Sequence, residues 1–221
     1  MRRTLLTLAL VLALPLAAHA RDNDIDKVNG AVRVEAGQQA GDVSSVNGSV
    51  HVGERAVVQR ASTVNGAVEL GEGAQASKVD TVNGSATLGA SAKVSGDVGT
   101  TNGGIRLGKG ADVAGKVANV NGGIKLDAAH IGRGIETVNG SIWVGANSRI
   151  EGGILVDKPS GWFSNTGRPP RVVIGPHAVV QGTLEFRREV ILQVSDSAQI
   201  GAVKGATPTK FSGDMPSGSD D

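Results

Sequence analysis

Glu54 and Glu72 occupy equivalent places in two similar stretches, "VGERA" and "LGEGA". If those stretches stack, the carboxylates stand about 5 Å apart, the separation that retaining glycosidases use for nucleophile and acid. That pair would give the chain the chemistry of a polysaccharide hydrolase or lyase. Such chemistry also needs a platform for the sugar ring and a third catalytic group in the same row. The flanking residues Gly53 and Gly71 supply neither, so two solvated turn carboxylates are the competing reading. Beyond the first twenty positions the histidines are His51, His130 and His177. A zinc ion needs its ligands within about 2 Å, whereas four coils at roughly 4.8 Å each would hold His51 and His130 about 19 Å apart. No GGxGxD series for calcium occurs. The sequence therefore predicts no metal and no cofactor.

What must position these residues is a repeat. Asn29, Asn47, Asn65, Asn83, Asn102, Asn121 and Asn139 each precede a glycine. Their numbers advance by one constant step, lengthened by a single position from Asn83 to Asn102 and again from Asn102 to Asn121. Self-similarity at a short fixed period marks stacked coils. Each coil divides into three hexads opened by an aliphatic residue, as in Val64, Leu70 and Ala76. Pairs such as Val32/Val34, Val68/Leu70 and Ile124/Leu126 alternate with outward residues, the period of a strand with one buried face. The fold class predicted is all-β, a three-sided parallel β-helix of about nine coils, with right-handed coils favoured by the crossover rule. Asn-Gly suits a corner because both residues tolerate positive φ, and the stacked asparagines should form a ladder of amide pairs. The extra residue of each longer coil should bulge one side and leave the corners in register.

The organisation follows. Residues 1–20 read as a signal peptide, with Arg2 and Arg3, an apolar run and Ala18-His19-Ala20 at the cleavage site. The product is expected to be periplasmic or secreted, and no later stretch is long enough to span a membrane. There is no cysteine, so packing and backbone pairing must hold the fold. With 33 glycines among 221 residues, no tyrosine and only 2 tryptophans and 3 phenylalanines, the core must be thin and aliphatic. Removing Arg2 and Arg3 leaves a net charge near −1, which does not recruit nucleic acid. The regular array is expected over residues 21–156. A Pro/Gly-rich protruding loop follows at 157–171, irregular final coils or a cap at 172–206, and a disordered tail at 207–221.

One outward row reads Arg33, His51, Glu69, Thr87, Arg106, Lys125 and Trp143 in successive coils. It ends in a basic pair beside a tryptophan. With Trp162 and Phe163 of the loop nearby, Arg106, Lys125 and Trp143 form a candidate contact patch; the alternative is a solvated face with aromatics capping the interior. The first strand, in "RDNDIDKV", has only charge to guard its open edge, so end-on self-association is expected there.

The repeated TVNG-x-V-x-V coils after a leader resemble a bacterial adhesin family of exported β-helical repeat proteins with no assigned biochemical role, over residues 25–156. The segment "IGPHAVVQGTL" is similar to the coils of bactofilins, the polymer-forming cytoskeletal proteins, over residues 172–206. The resemblance implies a surface-associated or scaffolding protein in contact with a cell-envelope component or polysaccharide, and no enzyme.

Overall fold

A computed structural model describes residues 23–159 and 168–216. Residues 1–22, where the signal peptide is expected, residues 160–167 with Trp162 and Phe163, and the last five residues lie outside them. The described residues are all-β without a helix, and every strand pairing is parallel. One sheet of ten strands runs from Val32–Val34 to Thr209–Phe211, one strand per coil. The solenoid thus has ten turns, one more than the sequence suggests. A sixteen-stranded sheet makes the other two sides of the prism; its halves join where Val57–Asn65 and Gln75–Asn83 run across both.

The interior consists of stacked rows of like residues. Val32, Val50, Val68, Ala86, Ile105, Ile124 and Ile142 lie above one another, each at most 1% exposed, and Val34, Val52, Leu70, Leu88, Leu107, Leu126 and Val144 form the adjoining row. Small residues fill the tightest inner row, Ala56, Ala74, Ala92, Ala111 and Ala129.

The first extra residue falls between Val94 and Val98. Val94 pairs with Ala76 at the ordinary repeat step, but Val98 pairs with Val79, one position further back than that step. What had been one long strand becomes two, Lys93–Val94 and Val98–Asn102. The next coils keep the break, as Asp112–Val113 and Lys116–Asn121, then His130–Ile131 and Gly134–Thr137. Corners stay in register throughout, Asn102 on Asn83 and Asn121 on Asn102.

Four expectations need correction. Of the three aliphatic residues that open the hexads of a coil, the valine before the Asn-Gly corner faces outward: Val28 is 67% exposed and Val64 40%, whereas Leu70 and Ala76 are buried. The segment 172–206 is regular in register despite its lost Asn-Gly corner, with Val172 on Ile142, Leu184 on Ile154 and Val203 on Leu184. The loop ends earlier than residue 171, since Arg171–Ile174 is already a strand. The tail expected to be disordered contributes Thr209–Phe211, paired with Ile191–Ser195. An exposed strand edge recruits backbone through its own N–H and C=O groups, so a polar sequence can join it.

Candidate functional site

The corner "TVNG" assigns a task to each of its residues. The Thr side chain points inward, and its hydroxyl donates to the carbonyl of the glycine one coil earlier: Thr63 to Gly48 at 2.7 Å, Thr81 to Gly66 at 3.0 Å, Thr100 to Gly84 at 2.9 Å. Ser45 does the same to Gly30, and Asn119 replaces the hydroxyl with an amide. These polar side chains are buried, and each bond satisfies a carbonyl that no ladder partner reaches. Periodicity missed this row because serine and threonine sit where an aliphatic residue was expected. The asparagines form the expected ladder on the outside: Nδ2 of each donates to Oδ1 of the one before, at 3.1, 2.9, 3.0, 3.0, 2.8 and 2.9 Å from Asn47 to Asn139. Arg188 Nη1 donates to Asn139 Oδ1 at 2.6 Å and ends the row.

The glycine is required chiefly for room. Gly30 and Gly122 use the left-handed region at φ 102° and 120°, but Gly66, Gly84, Gly103 and Gly140 do not. A Cβ on Gly84 would lie 1.8 Å from the Gly66 carbonyl oxygen, and one on Gly103 1.9 Å from that of Gly84. The backbone of one coil rests directly on the next at this edge.

Two grooves mark the outer surface. The first, about 670 Å³, lies on the ten-stranded sheet and holds three members of the expected contact patch, Arg106, Lys125 and Trp143. Lys125 Nζ stands 5.8 Å from the centre of the Trp143 ring. Arg171, within the span expected as loop, enters from the next coil, its backbone N–H donating to Ser141 Oγ at 3.2 Å. The groove is also lined by Gly104 and Gly123, the second glycines of "TNGGI" and "VNGGI", where the other Asn-Gly coils carry Ala or Ser. Among the described residues no carboxylate lines this groove. Trp162 and Phe163 fall outside the described residues.

The second groove, about 770 Å³, follows the exposed valine row past Val46, Val64, Val82 and Val120. Its charges are already matched. Lys78 and Arg60 face Asp80 at 2.9 and 3.9 Å, and Lys116 Nζ donates to Glu136 Oε2 at 2.8 Å. That hydrogen bond, together with the Glu136 charge, holds the Lys116 ammonium above its ordinary pKa.

Glu54 and Glu72 are exposed turn residues that line neither groove. Of the histidines, His51 Nδ1 lies 3.2 Å from Glu69, and His130 sits between Asp112 at 2.6 Å and Glu151 at 3.4 Å. His177 lies in a turn with its backbone N–H on Ser197 Oγ. Among the described residues no cluster of three His, Cys, Asp or Glu side chains is arranged to hold a metal ion. No family model matches the chain, and neither a curated protein nor a solved structure matches it.

Proposed function

We propose that the protein is an exported structural or adhesive rod that presents rigid outer faces to the bacterial cell envelope and catalyses no reaction. The observation that carries this reading is the continuity of its outer rows. The asparagine ladder and the valine row run side by side over seven coils, interrupted only by Thr101 in the valine row, which suits a surface built for extended contact. The leader at residues 1–20 and the resemblance to exported adhesin repeats support a periplasmic or secreted location. A lyase or hydrolase using Glu54 and Glu72 fits less well. The groove tryptophan, Trp143, is four coils beyond Glu72, about 19 Å along the axis.

Cell fractionation tests the reading. A C-terminally tagged full chain should yield a product beginning at Arg21, found outside the cytoplasm and co-sedimenting with envelope material. An intact N-terminus in the cytosol would overturn it. So would release of unsaturated sugars or reducing ends from acidic polysaccharides by the purified protein, if Glu72→Gln abolished that release.

A further inference from the structure

We infer that the groove on the ten-stranded sheet is a binding site for a saccharide bearing carboxylate or phosphate groups, laid along the solenoid axis. Three features converge. First, the charge is one-sided: Arg106, Lys125 and Arg171 line the groove and no acidic side chain among the described residues does, on a chain whose charge after leader removal is near −1. Elsewhere Arg60, Lys78, Lys116, Arg149 and Arg187 face carboxylates, Arg60 and Lys116 across to the next coil. Arg106 and Lys125 face none among the described residues, and Lys125 leans instead on Trp143.

Second, the concavity is built by the sequence. Gly104 and Gly123 remove two side chains from a row that reads Ala31, Ser49, Ala67, Ser85 and Ser141 in the other Asn-Gly coils and continues with Arg171 and Ile191. The gap is not forced by crowding at Gly123, where a Cβ would meet nothing nearer than the Ser141 carbonyl oxygen at 3.8 Å. A side chain would fit there, and its absence leaves a trough. The trough runs from Ser85 to Arg171, four coil steps or about 19 Å.

Third, the chemistry of the walls suits a sugar acid. The hydroxyls of Ser85, Thr87 and Ser141 can exchange hydrogen bonds with sugar hydroxyls, Trp143 offers an aromatic surface, and Arg106 and Lys125 stand one coil apart in the same row. A single-stranded nucleic acid would require a series of aromatic platforms for successive bases, and among the described residues this groove has one, Trp143. The inference rests on the envelope reading only for where such a glycan would be met; the binding itself is a property of the isolated protein.

Calorimetric titration of the exported form with polygalacturonate, a phosphodiester-linked glycan, neutral dextran and an oligothymidylate tests it. Binding is expected to one or both acidic glycans and not to dextran, weakening as salt rises from roughly 50 to roughly 500 mM. Arg106→Gln combined with Lys125→Gln should weaken it at least tenfold, on the order of a charge-assisted pair lost at each position. Gly123→Gln should also weaken it at least tenfold by filling the trough without changing charge, and Lys93→Gln on another face should leave it unchanged. Circular dichroism verifies that each variant is folded. Failure of both acidic glycans to bind, equal binding of dextran, tighter binding of oligothymidylate, or indifference of a folded Gly123→Gln would each overturn the assignment. An envelope-located protein that fails here loses the groove but keeps the rod; a cytosolic protein that passes loses the envelope and keeps the groove.

Discussion

Replacing Gly84 with alanine puts the close approach of the coils to a direct test. The new Cβ would stand 1.8 Å from the Gly66 oxygen and 2.5 Å from its carbon, whereas real Cβ contacts do not fall below 3.0 Å. The coils must therefore part at this edge. The bonds holding the edge are Gly66 N–H to Asn83 carbonyl at 3.1 Å and Val68 N–H to Ser85 carbonyl at 2.9 Å. A separation of roughly 1 Å stretches both to about 4 Å, where they no longer count as hydrogen bonds. Two backbone bonds at roughly 0.5–1.5 kcal/mol each, with the Asn83–Asn65 amide pair strained beside them, give a loss of about 2–4 kcal/mol. For a chain of this size that lowers the melting temperature by roughly 5–15 °C. Gly99→Ala is the control. Its Cβ would meet only Asp80 Oδ1 at 3.4 Å and the Ala118 carbonyl at 4.0 Å, and the residue stacked on Gly99 in the next coil is already alanine. It should melt within about 2 °C of the parent, inside the usual effect of a tolerated surface change. Thermal denaturation followed by circular dichroism measures both. If Gly84→Ala melts as high as Gly99→Ala, backbone contact at the corner is not what demands glycine.

Asn83→Ala removes two amide pairs from an exposed row, so the expected loss is about 0.5–1.5 kcal/mol, at the low end for hydrogen bonds that water can replace, while Glu72→Gln should be neutral; a melt with the reverse order would refute both assignments. Deleting one whole coil, residues 64–81, should leave a folded protein with the same β-sheet circular dichroism, because each coil contacts only its neighbours; loss of that signal would contradict the modular stacking. At the first coil, Asp24 accepts from the Asp42 N–H and Asp26 bonds Ser44, so carboxylates border the open edge of Ile25–Asn29. End-on association through that edge should strengthen as salt screens them and weaken in Ile25→Lys; a strict monomer at micromolar concentrations in light scattering across the salt series would exclude it.

The architecture was legible because a solenoid writes its geometry as a period. The Asn-Gly spacing alone located the corners, the ladder and the bulged side, and the alternation of Val32/Val34 and its equivalents located the ten-stranded sheet. Illegible were features that depend on the third dimension. Whether Val64 or Thr63 faces inward turns on where the corner bends, and a hexad pattern is satisfied by either. The threonine's role appears only when a glycine carbonyl from the preceding coil is seen beneath its hydroxyl. Arg171 belongs to the groove because a long separation in sequence from Ser141 collapses to one coil step, after a loop that no period predicts. The polar stretch at 209–211 joins a sheet through its backbone, to which side-chain patterning is blind.

The asparagine ladder has a direction. In all six pairs the amide of the later residue donates to the oxygen of the earlier one, so the side-chain dipoles point the same way along the edge. Their sum resembles a helix macrodipole carried outside the backbone, with its negative pole at Asn139, where the Arg188 guanidinium sits as the matching cation. The rod is therefore an electric vector as well as a prism. Two rods lying side by side on this edge attract when they run in opposite directions and repel when they run together, and the antiparallel arrangement also lays one valine row against the other. Polarity written into a row of surface amides thus sets the sense in which such rods can pack.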